Sequence, residues 1–245
     1  MNILVVTDNL IQYSRIREVV QRKNLENVNF VFKCSAAKSP MSDHRDFKNG
    51  GILDVHQSVE YIVSNFQLVI SAHCLQLFPK ELVSKVRCIN IHPGYNPINR
   101  GWYPQIFSII HDLPIGATIH EMDEQLDHGA IIARRFADKY IWDTSLSIYE
   151  RILQIEIELF SENFESIIYN TYKTITPEEE GNLFLKKDFK NLCLIDLNKE
   201  GSFLEFYNLL RALSHSSHKN AYFIDPVSGK KIFLKLEVEH DQTIT

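Results

Sequence analysis

The run Ile-Leu-Val-Val-Thr at residues 3–7, closed by Asp8 and Asn9, constrains this chain more than any other feature. A strand with no polar alternation has to be covered on both faces, which places it inside a parallel sheet with helices on either side. The residues that follow obey that demand. Ile11, Ile16, Val19 and Val20 recur at helical spacing, and residues 28–34 supply a second strand, which makes a βαβ opening. The alternation continues with an amphipathic segment at 55–66, a strand at 67–72, a short helix from Pro79 and a strand at 86–91. A helix at 103–111, strand-like runs at 116–122 and 130–137 and a long helix at 145–172 complete a first domain, residues 1–175. The pattern predicts an α/β fold with a doubly wound, mostly parallel sheet. Residues 35–51 are polar and turn-rich without periodicity, which predicts a mobile loop over one sheet edge. A charged connector at 176–181 opens a smaller C-terminal subdomain, residues 176–245, with a helix at 203–213 and a hairpin of strands near Tyr222 and Ile232 turned by Pro226 and Gly229.

Composition removes several function classes. With 245 residues, 44% hydrophobic content, 9 Gly and 8 Pro, the chain is neither disordered nor collagen-like. A formal net charge of -5 offers no global positive field for polynucleotide phosphates, so no nucleic-acid partner is expected. Cys34, Cys74, Cys88 and Cys193 lie far apart in apolar surroundings with no metal-ligand spacing, which reads as reduced thiols and no metal site. No apolar run reaches the roughly 18 residues of a membrane span and the N-terminal run is too short for a signal sequence, so a cytoplasmic protein without membrane contact is predicted. The sheet is Rossmann-like, yet the first strand is not followed by Gly-x-Gly-x-x-Gly or a Gly-rich loop ending in Lys-Ser/Thr, which weakens a generic nucleotide-binding reading.

Ligand crevices of open α/β sheets lie beyond the carboxyl ends of the strands, which singles out Asn90, His92, Pro93 and Gly94. Residues two apart on a strand share a face, so the Asn90 amide and His92 imidazole stand side by side at the crevice mouth. An amine attacking a carbonyl carbon needs a donor for the developing oxyanion and a base for its proton. Asp127, in the turn at 123–129, is a carboxylate that topology could bring up to orient the imidazole and raise its pKa.

Asn90, His92, Pro93 and Gly94, then Asn99, Arg100 and Gly101, then 117–120 (Ala-Thr-Ile-His), Asp123 and 126–129 (Leu-Asp-His-Gly) resemble the folate-dependent formyltransferase family over about residues 67–137. The resemblance implies that Asn90, His92 and Asp127 are the catalytic trio. It also implies that the co-substrate is N10-formyltetrahydrofolate, with its pterin held around Leu77, Phe78 and Pro79 and by the turn containing Asp123 and Leu126. The family's usual loop carries Ser two residues after the His, and here Gly94 stands in that place. With Asn96 to Asn99 in the loop and Trp102 after the Arg-Gly pair, the sequence is most similar to sugar-nucleotide N-formyltransferases. Arg211, Ala212 and Leu213 with Asn220 to Phe223 resemble the C-terminal part of the same group.

That resemblance implies an amine on a nucleotide-linked sugar as acceptor, of the dTDP-4-amino-4,6-dideoxyglucose type that feeds lipopolysaccharide O-antigen synthesis. Another small amine, such as a different amino sugar or phosphoribosyl glycinamide, would use the same trio. A non-catalytic folate-binding protein is the reading from another class, and intact Asn90, His92 and Asp127 count against it. Candidate substrate-binding residues are Asn9, His73, Asn96, Arg100, Trp102 and Tyr222. His73 is equally a backbone-satisfied strand-end residue or part of the acceptor wall. Arg100 either ties its loop to a carboxylate or forks onto a diphosphate. Trp102 is a helix-start anchor or a ring platform, and Tyr222 stacks on a base or packs in the hairpin. His120 and His128 read as structural. The apolar residues Phe203, Phe206, Leu209, Leu210, Phe233 and Leu236 exceed what a helix and hairpin can hide, which predicts packing on the first domain or a homodimer.

Overall fold

The computed structural model describes residues 1–36 and 39–239. The chain runs through β1 (Asn2–Thr7), α1 (Leu10–Lys23), β2 (Asn29–Ser35), β3 (Ile52–Leu53), α2 (Val59–Asn65), β4 (Leu68–Ala72), α3 (Lys80–Lys85) and β5 (Arg87–His92). It continues with β6 (Arg100–Gly101), α4 (Pro104–Ile110), β7 (Ile115–Glu121), β8 (Ile131–Ala137) and α5 (Ser145–Tyr169). The C-terminal part holds β9 (Leu183–Phe184), α6 (Lys186–Cys193), α7 (Phe203–Leu213), β10 (Tyr222–Ile224) and β11 (Lys231–Phe233).

One seven-stranded sheet, in the order β3-β2-β1-β4-β5-β7-β8, organises the molecule. The strands from β3 to β5 are parallel, whereas β7 is antiparallel to β5 and β8 to β7. Two-residue alternation sorts the strand side chains onto two faces. Ile3, Val5, Leu68 and Ile70 join a core with α1, α4 and α5, while Leu4, Val6 and Val69 join a second core under α2 and α3. Both faces are covered, which is why residues 3–6 of β1 and 68–70 of β4 are all apolar, with the buried Thr7 and Ser71 confined to the strand ends. No helix among the described residues is long and apolar enough to cross a membrane.

The structure departs from the sequence reading in three places. Beyond Ala37 and Lys38, which lie outside the described residues, the segment predicted as a mobile loop is anchored. Met41 and Phe47 are buried against Tyr13 and Cys34, and Asp46 accepts from the Tyr13 hydroxyl at 2.7 Å and from Arg17 at 3.0 Å. Two apolar residues six positions apart without strand or helix periodicity leave no signal, yet they suffice to dock a turn. Helix α2 begins at Val59, after turns in which Asp54 caps the backbone N–H of His56 at 2.9 Å. The short strand pair of β6 with β9 has no counterpart in the sequence reading, because two-residue strands carry no pattern, and neither has the helix α6. Of the apolar residues predicted to pack on the first domain or on a second copy, Leu209 and Leu210 pack on the main core, while Phe203, 85% exposed, and Phe233 lie open. The C-terminal part is fastened by Arg211, buried on α7, whose Nη1 donates to the carbonyl of Asp143 at 2.8 Å.

Candidate active site

At the carboxyl ends of β1, β4 and β5 lies a cleft of about 620 Å³, and Asn90, His92 and Asp127 all line it. Strand β5 presents Asn90 and His92 on one face, and the antiparallel register sets Asn90 opposite His120 and His92 opposite Thr118. Thr118 then fixes the loop that follows β5. Its hydroxyl donates to the Gly94 carbonyl at 2.7 Å and accepts from the Asn96 N–H at 3.0 Å.

Asp127 arrives from the other side. It sits at φ +50°, a region that Asp and Asn enter more readily than other residues with a Cβ. Its backbone carbonyl accepts from Asn96 Nδ2 at 2.9 Å. Two residues on, Gly129 passes so close to Glu121 that a Cβ would stand 1.9 Å from its carbonyl oxygen, which is why glycine follows Leu126, Asp127 and His128. The turn is thereby held against the end of β7. Within it Asp123 accepts from the Gln125 N–H at 2.8 Å and pairs with His128 Nδ1 at 2.6 Å.

The trio meets at hydrogen-bonding range. Asn90 Nδ2 donates to Asp127 Oδ1 at 3.1 Å, the Gly101 N–H donates to Asp127 Oδ2 at 3.0 Å, and His92 Nδ1 lies 3.5 Å from Oδ2. His120 Nε2 stands 3.5 Å from Oδ1. Burial alone would raise the Asp127 carboxyl, but His92, His120 and the Gly101 N–H outweigh it and hold the group well below the usual carboxylate range. Asp127 is therefore an anion at neutral pH.

His92, 3% exposed, is steered by a backbone group rather than by the carboxylate. Its Nε2 lies 2.9 Å from the Asn99 carbonyl oxygen, which only accepts, so Nε2 carries hydrogen and the neutral ring keeps its lone pair on Nδ1. The sequence reading gave Asp127 the orienting role and a raised imidazole pKa. Instead Asn99 orients the ring, and burial lowers the pKa of His92 more than Asp127 raises it. Gly94 permits this arrangement, since a Cβ there would stand 2.4 Å from His92 Nε2 and 2.6 Å from the Asn99 carbonyl.

The remaining candidates divide. Leu77, Phe78, Asp123, Leu126, Asn9, His73 and Trp102 line the cleft, with the Lys186 ammonium 3.6 Å above the Trp102 ring. Leu77 is 56% exposed there, an apolar wall open to a flat ring system. Pro79 lies outside the lining and caps α3 at its N-terminus. Arg100 also lies outside it. Its Nε donates to the Leu126 carbonyl at 3.1 Å and its Nη1 to the Glu180 carbonyl at 2.9 Å, so the guanidinium ties the Asp127 turn to the C-terminal connector. Asn96 is buried behind the trio, its Nδ2 donating to the Asp127 carbonyl and its own carbonyl accepting from Arg134 Nη1, while its Oδ1 has no hydrogen-bond partner among the described residues. Tyr222 packs on the main core from β10, under Lys231 at 4.1 Å. Sequence reasoning passed over Tyr149, Glu156 and His215, and met Asn220 only as part of the C-terminal resemblance. Tyr149, on α5, and His215 and Asn220, in the polar segment after α7, line the cleft from distant parts of the chain, and no local pattern flags them.

Residues 13–164 match the family described as Formyl transferase, and residues 188–240 the one described as N-formyltransferase dimerization C-terminal domain. The dTDP-4-amino-4,6-dideoxyglucose formyltransferase of Mycobacterium tuberculosis (strain H37Rv) is 50% identical over 189 residues, 77% of this chain and 80% of that protein. Among solved structures, a sugar N-formyltransferase from a Shewanella species superimposes with a TM-score of 0.92 at 40% identity, covering 99% of each chain. A 4-N formyltransferase from Francisella tularensis does so with a TM-score of 0.90 at 40% identity, covering 98% of each. A sheet-end cleft built around an asparagine, a histidine and an ionised aspartate, in a chain that shares its whole length with such enzymes, leaves one assignment: this chain belongs to the formyl transferase family.

Proposed function

We propose that the protein transfers a formyl group from N10-formyltetrahydrofolate to the amine of a dTDP-linked 4-amino-4,6-dideoxy sugar, its product entering lipopolysaccharide O-antigen assembly. The observation that carries the reading is the convergence of Asn90, His92 and Asp127 in one cleft, together with 50% identity to an enzyme named for that acceptor. The apolar exposure of Leu77 beside Phe78 and Leu126 fits a pterin, which those residues and Asp123 would hold. When bound, that co-substrate supplies an activated formyl carbon. Asn90 Nδ2 donates to the oxygen that becomes negative during attack. The bare His92 Nδ1 takes the proton from the attacking nitrogen and returns it to the nitrogen that departs. The Asp127 anion, 3.5 Å from that atom, stabilises the transient imidazolium.

Residues 1–175 form the catalytic domain in this reading, and 176–245 the subdomain through which a cytoplasmic homodimer assembles. The exposed Phe203, Leu204 and Phe233 support a face covered by a second copy. A solution mass of 28.5 kDa, that of one chain, would refute the dimer. The catalytic reading is tested by mass spectrometry with the folate donor and a panel of dTDP-amino sugars. A gain of about 28 Da on one sugar, reduced by roughly 10² to 10⁴ in rate in His92→Ala, supports it. Absence of product from every sugar refutes the acceptor.

A further inference from the structure

Proton balance leaves one proton without an acceptor in the trio. An amino sugar enters water as an ammonium and loses one proton to become a nucleophile and a second as the carbon–nitrogen bond forms. His92 takes the second and returns it to the departing donor nitrogen, so the first has to leave by another route.

The adjacent strand end offers that route. The parallel register pairs Ala72 of β4 with Ile91 of β5 and with Thr7 of β1, so His73 stands one step beyond the last pair, level with His92 and Asp8. His73 Nε2 lies 2.7 Å from Glu156 Oε2, and His73 Nδ1 lies 3.1 Å from the Tyr149 hydroxyl. Asn9 Nδ2 donates to the same hydroxyl at 2.9 Å, and Gln12 Nε2 donates to Glu156. With the His73 ring neutral, these contacts place every hydrogen. Nε2–H of His73 points to the carboxylate, the Tyr149 O–H donates to the bare Nδ1, and the Tyr149 oxygen accepts from Asn9 and keeps one lone pair. Glu156 is 0% exposed, its Oε1 has no hydrogen-bond partner among the described residues, and His73 is the one cationic-capable group paired with it there. A buried carboxylate beside a neutral imidazole is stabilised when that imidazole gains a proton.

We propose that Tyr149, His73 and Glu156 form a second proton path, which strips the acceptor ammonium before attack. The inference rests on the formyl-transfer reading. The ammonium nitrogen gives its proton to the Tyr149 oxygen while the Tyr149 hydroxyl proton moves to His73 Nδ1. The products are a neutral amine and an imidazolium paired with the Glu156 carboxylate, and the total charge is unchanged. Glu156 is the positioning residue of the path. Burial and the Glu156 charge raise the Tyr149 pKa, so the side chain relays as a hydroxyl and not as a phenolate. Besides Tyr149 from α5, the titratable groups that line the same cleft as His73 include Asp8, Cys74, His92, His120, Asp123, Glu124 and Asp127, with His215, whose ring lies 5.4 Å from that of Tyr149, and His218 beside it.

The test is kcat/KM from pH 7.5 to 9.5 for the native enzyme and for Tyr149→Phe, His73→Gln and Glu156→Gln, with melting curves beside each. The ratio of variant to native cancels the titrations that both share. The expected deficit is roughly 100-fold at pH 7.5, closing to about threefold at pH 9.5, where the acceptor amine is already neutral. A deficit that stays constant across this range, or none in the conservative Tyr149→Phe, overturns the path. A native enzyme that forms no formamide would sink the formyl-transfer reading and this inference with it, whereas a constant deficit removes the proton path alone.

Discussion

Placing a side chain at Gly94 tests whether the Asn99 carbonyl sets the reactive nitrogen of His92. The Cβ of Gly94→Ala would stand 2.4 Å from Nε2 and 2.6 Å from the carbonyl it donates to, about 1 Å short of ordinary contact at 3.4 Å. The backbone on one side is pinned by Thr118 at 2.7 Å, and the imidazole is buried, so the strain is relieved by moving the ring off its acceptor. A displacement of about 1 Å at a reacting group is worth about 10² in rate, and loss of the Nε2 partner also frees the other tautomer, which puts hydrogen on Nδ1 and removes the base. Formyl transfer by Gly94→Ala should therefore fall by at least about 100-fold in kcat with a smaller change in KM for either substrate. Gly94→Ser is the sharper variant, because it installs the residue usual in the resembling family. Steady-state kinetics with a melting curve for each protein make the measurement. A folded Gly94→Ser enzyme within about threefold of the native kcat would refute the argument that this loop places the ring.

Asp127→Asn should lower both rate and stability at neutral pH. The folded carboxyl titrates below its unfolded value of 3.8, so its stabilisation is complete at neutral pH and is lost as the pH falls below that value. The melting-temperature gap between native and variant protein should narrow between pH 7 and pH 3, and a gap that widens would contradict the sign. Arg100→Ala removes the ties to Leu126 and Glu180 and should cost about 2 kcal/mol in denaturant unfolding while leaving the affinity for a nucleoside diphosphate unchanged. A large loss of diphosphate affinity in a stable variant would restore the ligand-binding role. Phe47→Ala empties the small core with Tyr13, Cys34 and Met41, and should cost about 3 to 5 kcal/mol by the same measurement. A cost under about 1 kcal/mol would mean that this segment is not anchored.

Much of the fold is legible because burial on two faces is written in strand composition. Residues 3–7 read as a strand buried on both faces and 67–72 as a strand, and they form the neighbouring inner strands β1 and β4, while the helix predicted over residues 203–213 is α7 (Phe203–Leu213). Side-chain alternation alone put Asn90 and His92 on one face of β5, and both reach Asp127. The direction of β7 and β8 escaped the pattern, since a buried strand reads the same whichever way it runs. The anchoring of 39–51 escaped too, because Met41 and Phe47 are ordinary residues in a turn-rich stretch until Tyr13 is brought beside them.

By itself, then, the sequence implied a catalytic trio through its resemblance to formyltransferases, and it determined the strands of the sheet and the strand ends at which chemistry would sit. Local periodicity and turn propensity act over a few neighbouring residues, and those features need nothing more. Only the tertiary structure decided what each polar group faces. It turned Arg100 from a diphosphate candidate into a strut, gave His92 its tautomer through the Asn99 carbonyl, and brought Glu156 from α5 under His73 at the end of β4. Hydrogen bonds between residues seven to eighty-three positions apart depend on distances of about an ångström. Those distances are fixed by packing the whole sheet and its helices and by no local signal in the chain.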